Sequence, residues 1–188
     1  MKRMSFFLSA TLALAGSLHA QSLPGESVYH LHATAQDAGG RPVAWSSLHG
    51  QPRVVSMFYT SCHLMCPLII ENAKSVQKQL TPRERAKLGM VMVSLDPVRD
   101  TPAALQEVAR RHRVPAGWQF LAPAGNDVRA IASVLDVRYR FRDDGSINHT
   151  SVLVLLDADG RVRARSEVTN AAADPQFLTQ VKALLAGP

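Results

Sequence analysis

Cysteine is nearly absent from this chain: Cys62 and Cys66 are the only two among 188 residues. That excludes a framework of several disulfides, the usual support of a small secreted domain with little core. Long apolar runs are also missing. The longest, Phe6 to Leu18, falls short of the roughly 20 residues that a spanning helix needs, and no cysteine follows it to carry a lipid. Internal repeats and low-complexity tracts do not occur, which excludes a solenoid or an extended linker. Aromatic residues make up 6% of the chain, and none interleave with its basic clusters as a single-strand nucleic-acid binder would require. The charge, +6 from 21 basic and 15 acidic residues, is mildly basic and is no nucleic-acid footprint.

What is there begins with an address. Met1-Lys2-Arg3-Met4 is followed by the apolar run and then by His19-Ala20-Gln21. A basic start, an apolar middle and a small closing residue describe a secretory signal peptide over residues 1–20, cleaved after Ala20. This predicts export, to a bacterial periplasm, where disulfides persist. An uncleaved segment would instead tether the protein to the inner membrane. Cleavage removes Lys2 and Arg3 and lowers the charge by two. Residues 21–188 are then enough for a single domain with a full core. The clusters Arg110-Arg111-His112-Arg113 and Arg161/Arg163/Arg165 read as solvated faces, or as a docking surface for an acidic partner.

The order of elements gives the fold class. Val28–Thr34 has strand character, with His30 and His32 on one face, and Asp37–Gly40 turns it toward Arg41–Trp45 as an N-terminal β-hairpin. Residues 53–59 form a strand that delivers the cysteines, and a helix follows to about Leu80. Thr81-Pro82-Arg83-Glu84 caps a short second helix. Met90–Leu95 is a continuous apolar run suited to a sheet covered on both faces. Thr101-Pro102 opens a helix to about Arg113, Trp118–Leu121 is a short strand, and Asn126 or Asp127 starts a helix ending near Leu135. Arg138 to Asn148 is polar, with a turn at Asp143-Asp144-Gly145. Ser151–Leu156 is a strand, Asp157–Gly160 a hairpin turn, and Asp174-Pro175 caps a last helix. The result is an α/β protein with a central mixed sheet flanked by helices, of thioredoxin-like topology.

Cys62 and Cys66 stand four apart where strand becomes helix. Pro67 favours the first helical position and pushes its predecessor out of the α region, so Cys66 reads as the cap and Cys62–Cys66 as a loop. There the sulfurs could bridge each other, as a redox pair or a plain staple, or hold one soft metal ion. The helix N-terminus adds partial positive charge beside Cys66, which favours thiolate over thiol there.

Three motifs in order carry a family resemblance. Tyr59-Thr60-Ser61-Cys62-x-x-x-Cys66-Pro67, Ser94-Leu95-Asp96-Pro97-x-x-Asp100-Thr101-Pro102, and His149-Thr150 ahead of a strand closed by Leu156-Asp157-x-x-Gly160 resemble the Sco/SenC/PrrC proteins across residues 28 to 186. The chain departs from that pattern at His63 and Met65 inside the cysteine loop, at Thr150 in place of serine, and in carrying a cleavable signal where the family has an anchor. The resemblance implies a copper site of Cys62, Cys66 and His149, with Asp96 close behind it. It implies delivery of copper to the dinuclear copper centre of cytochrome c oxidase, on subunit II or another periplasmic copper or thiol acceptor. Reduction of that centre's cysteines by the redox pair Cys62 and Cys66 is the alternative.

Two thiolates and an imidazole suit copper in both states: sulfur for Cu(I), nitrogen helping Cu(II). Zinc is a rival if His63 completes a tetrahedral set. Met65 is either a thioether donor or a core residue near Leu68. His63 reads as an exposed modulator of the cysteines, and His49 and His112 as solvent-facing. Asp96 could also be a plain turn residue before Pro97.

Overall fold

The computed structural model describes residues 22–187, so the predicted signal peptide, residues 1–20, lies outside it. The strand expected over Val28–Thr34 begins only at its last residue. Val28–His30 coil instead into a 3-10 turn capped by Ser27, because Tyr29 turns inward to pack against Trp45. His30 and His32 therefore share no strand face, and the His30 ring bonds to the Pro24 carbonyl at 2.8 Å. The hairpin follows as β1 (Thr34–Asp37) and β2 (Pro42–Ala44).

β3 (Arg53–Phe58) leads through the cysteine loop into α1 (Met65–Lys78) and then α2 (Pro82–Lys87), where Thr81 and Glu84 form a reciprocal capping box. β4 (Gly89–Ser94) is buried along its whole length, α3 (Pro102–Arg111) starts at the Thr101 cap, and β5 (Gln119–Pro123) completes a parallel trio. After α4 (Asp127–Val134), the polar segment with its turn at Asp143-Asp144-Gly145 is a two-stranded ribbon, β6 (Tyr139–Phe141) with β7 (Ile147–His149). β8 (Val152–Leu156), β9 (Val162–Glu167) and α5 (Pro175–Ala186) close the chain.

The main sheet has the order β2-β1-β5-β4-β3-β8-β9. Its α/β, thioredoxin-like architecture is the expected one, and the N-terminal hairpin joins the same sheet through antiparallel pairing of β1 with β5. The pairing that matters for function is β3 with β8. It is antiparallel, with Val55 opposite Val154, so the end of β3 lies beside the start of β8. Ser56 Oγ fixes this by donating to the Val152 carbonyl at 2.7 Å. A residue just before β8 and a loop just after β3 must then meet, at the carboxyl ends of the parallel strands.

The β8–β9 turn is sewn to the entry segment. Gly160 has φ +85°, and a Cβ there would lie 2.5 Å from Tyr29 Cδ2 and 2.7 Å from Ser27 Oγ. Replacing Gly160 by alanine therefore adds left-handed strain and a clash in one step. Urea unfolding of Gly160→Ala should show a loss of about 2–4 kcal/mol; a loss within about 0.5 kcal/mol would show that this turn does not hold the entry segment.

Candidate metal centre

Cys62 and Cys66 have different surroundings, and helix geometry is the reason. α1 starts at Met65 with Leu64 as the half-in flanking residue, so Cys66 lies inside the first turn and is not the cap. Pro67 occupies the third helical position, which costs nothing because first-turn N–H groups have no intrahelical acceptor. The vacant cap is filled from a distance: Cys62 Sγ accepts the Cys66 N–H at 3.3 Å, and Leu64 provides no side-chain cap. Cys62 is half-buried and Cys66 fully buried, and both are free thiols.

The proton divides accordingly. The Cys66 thiol hydrogen-bonds to Cys62, and backbone N–H groups of Cys66, Leu64 and Met65 add to it, so Cys62 is lowered to about 4. Cys66 moves the opposite way: the same bond makes it the donor, burial adds to that, and the negative charges of Cys62 and Asp100 oppose a second thiolate. Cys62, and not Cys66 as the helix end alone suggests, is therefore the thiolate at neutral pH: burial and the neighbouring negative charges outweigh the helix N-terminus at Cys66, which holds the proton. Cys66 Sγ also accepts from Tyr59 N–H at 3.4 Å.

The third residue arrives on β7. His149 Nε2 lies 3.9 Å from Cys66 Sγ. Nδ1 lies 3.1 Å from the Thr150 carbonyl. A carbonyl oxygen only accepts, so Nδ1 carries the hydrogen and Nε2 presents a lone pair to the sulfur, the arrangement usual for a ligating histidine. Burial lowers the imidazole below its ordinary value and keeps it neutral at pH 7. Two atoms sharing one first-row ion, at about 2.3 Å to sulfur and about 2.0 Å to nitrogen, sit about 3.5–3.8 Å apart. The Cys66–His149 separation is close to that span. Among the described residues, however, no three His, Cys, Asp or Glu side chains already converge as a metal cluster. The cysteines meet as a pair, Cys66 meets His149 as a pair, and an ion would have to draw Cys62 and His149 together.

The second motif supplies two buried carboxylates. Asp96, expected close behind the site, pairs with Arg99 in its own turn. The residue facing the cysteine loop is Asp100, fully buried, accepting from Thr60 N–H at 3.1 Å, Thr60 Oγ at 2.5 Å and Ser94 Oγ at 2.6 Å. It ties the start of the loop to the end of β4. Burial holds its carboxyl above the ordinary value. Asp96 acts through Arg99, which it holds and which donates to the Gly145 carbonyl at 2.8 Å, so gripping the tip of the ribbon that carries His149. Tyr59 adds a second grip, its hydroxyl accepting the Ile147 N–H at 3.2 Å.

His63 is exposed and Met65 half-buried, and among the described residues neither side chain hydrogen-bonds to a sulfur or to His149. His49 is exposed as expected. His112 is not: only 18% of its side chain is accessible, and it borders a hollow of about 150 Å³ with Cys62, His63, Cys66 and Arg111. Asp100 was visible in the sequence inside the Asp-Pro-x-x-Asp motif. Which of the two aspartates turns inward depends on Thr60 and Ser94, on other strands.

A family model described as SCO1/SenC matches residues 27–186. A Stutzerimonas stutzeri protein named for copper binding is 25% identical over 131 residues, 68% of this chain and 63% of that protein. The chain thus spans under two thirds of that relative's length. Among solved structures, an Aquifex aeolicus protein described for electron transfer superposes with TM-score 0.71 at 21% identity, covering 88% of this chain and 92% of its own. Bradyrhizobium japonicum ScoI with copper bound superposes with TM-score 0.67 at 22% identity, covering 81% and 96%. At these identities the superpositions show the shared fold.

The thiolate assignment has a kinetic signature. With Cys62 ionised from about pH 4 upward, its alkylation by iodoacetamide should be nearly flat between about pH 6 and 8, with the adduct on Cys62 alone. An ordinary thiol gains about tenfold per pH unit across that range. A tenfold rise per unit, or labelling of Cys66, would contradict the assignment.

Proposed function

The chain belongs to the SCO1/SenC family, and on that premise we propose that it is an exported copper metallochaperone. It holds one copper on Cys62, Cys66 and His149 and passes it to the dinuclear copper centre of cytochrome c oxidase subunit II in the periplasm. The observation that carries this reading is the His149 ring, its Nδ1 fixed on the Thr150 carbonyl and its Nε2 lone pair 3.9 Å from Cys66 Sγ. Sulfur and imidazole together suit Cu(I) and Cu(II) and favour copper over other divalent ions. The copper-binding name given to the Stutzerimonas relative and the copper in the Bradyrhizobium structure agree with it. Copper is cargo here: loading displaces the Cys66 proton, and a half-buried Cys62 leaves one sulfur reachable by an acceptor.

A second reading is favoured by the division of the proton. An accessible thiolate next to a buried thiol is the arrangement of a thiol–disulfide oxidoreductase. Cys62 would attack a partner disulfide and release one partner thiolate. Cys66, on losing its proton, would displace the second and leave a Cys62–Cys66 bridge, with two electrons passed to the partner. A dithiol reductant would reset the pair.

Copper titration of the reduced protein, followed by Cu(II) EPR, separates the two. The chaperone reading expects one copper per chain with nitrogen coupling. It expects loss of that coupling and at least about 100-fold weaker binding in His149→Ala, and a loss of about 10–100-fold in Arg99→Gln, which frees the ribbon tip but keeps both thiols. Full affinity in His149→Ala would overturn it, and disulfide reductase activity retained in that variant would move the assignment to the second reading.

A further inference from the structure

Three groups of surface arginines stand out, and two of them are largely engaged by their own neighbours. Arg110 and Arg111 share the Glu107 carboxylate. Arg161 pairs with Glu26 and Asp159, Arg163 reaches Asp157, and Arg165 donates to the Leu135 and Asp136 carbonyls. These are the two clusters that stand out in the sequence; the second is matched by neighbouring carboxylates and carbonyls, while in the first two arginines share one carboxylate and the exposed Arg113 has no ion-pair partner among the described residues.

The third group forms only in the fold. Arg129 on α4 and Arg138 and Arg140 on the ribbon are exposed, and among the described residues none of the three has an ion-pair partner. Arg142 reaches Asp144 at the limit of contact, 4.0 Å, and Asp143 and Asp144 are set apart at the ribbon tip. The three free arginines surround a hollow of about 680 Å³ between α4 and β6, whose walls include Val137, Tyr139 and Phe141. Phe141 is 55% exposed, one of the few large apolar side chains on the surface. Among the described residues β6 pairs with β7 and with no other strand, which leaves its outer edge unpaired there.

We propose that this hollow is a docking surface for an acidic protein partner, one presenting carboxylates around an apolar side chain. Three unpaired guanidiniums set the sign of the partner, since an uncompensated basic patch attracts and orients an acidic one. Arginine with exposed aromatics is the composition of interface centres. The concave shape suits a protruding protein segment better than the plane of a lipid surface. The location gives the contact a consequence: Tyr139 lies directly across the ribbon from His149. A partner seated on β6 rests on the strand pair that holds the imidazole against Cys66. The inference deepens the chaperone reading, and the naming of the partner as the copper acceptor rests on that reading.

The test uses metal-free reduced protein, so its outcome is independent of copper affinity. The probe is a synthetic heptapeptide of alternating Glu and Leu, with Gln-Leu alternation as its control, followed by amide NMR shifts at low salt. The proposal expects saturable shifts concentrated in residues 137–149, none with the Gln peptide, and about tenfold weaker binding in the triple variant Arg129→Gln, Arg138→Gln, Arg140→Gln, the size expected for three exposed ion pairs. Arg110→Gln with Arg113→Gln should bind as wild type does. Unchanged binding in the triple variant, or shifts centred on the end of α3, would overturn it. Sedimentation with phosphatidylglycerol vesicles in place of peptide binding would also overturn it, assigning the patch to a membrane surface.

Discussion

A backbone carbonyl can accept a hydrogen bond but never donate one, and at Thr150 that rule decides what His149 can do. With Nδ1–H fixed on the Thr150 oxygen, the ring has one tautomer, and its only lone pair faces Cys66 Sγ. Burial keeps the ring neutral, so the lone pair is available at pH 7. Everything around the site serves that orientation. The antiparallel start of β8 beside the end of β3 brings the histidine to the cysteine loop. Tyr59 holds β7 at Ile147, and the Asp96–Arg99 pair holds the ribbon tip at Gly145.

The cysteine half of the site rests on an unfilled helix cap. An N-terminus lacking its usual Ser, Thr or Asp takes the Cys62 sulfur in that place, and the positive end of α1 stabilises it as a thiolate. Cys66, one turn in and buried, becomes the proton donor to its neighbour. Asp100 behind it sharpens the asymmetry, because a buried negative charge there opposes ionisation of Cys66. One chain thus presents a reachable thiolate, a protected thiol and a neutral imidazole, which serves both metal transfer and thiol exchange.

Much of this was legible in the sequence, because its signals are local. Continuous apolar runs gave β3, β4 and β8, Thr81, Thr101 and Asp174 gave helix starts, and the spacing of Cys62 and Cys66 marked the site. What was not legible depends on distant partners. Pro67 favours the first helical position, yet any first-turn position tolerates it, and α1 begins two residues earlier. Val28–His30 has strand composition but follows Tyr29 into the core. The choice between Asp96 and Asp100 lay with Thr60, Ser94 and Arg99. His112 counts as solvent-facing only until α3 is packed beside α1. The grouping of Arg129 with Arg138 and Arg140 was hidden because it depends on how α4 and β6 meet around one hollow.

The central claim is the direction of the His149 lone pair, and long-range proton–nitrogen NMR of the reduced, metal-free protein reads it directly. The account predicts a His149 ring protonated at Nδ1 with an unprotonated Nε2 at neutral pH. A ring carrying its proton on Nε2, or doubly protonated at pH 7, would contradict it.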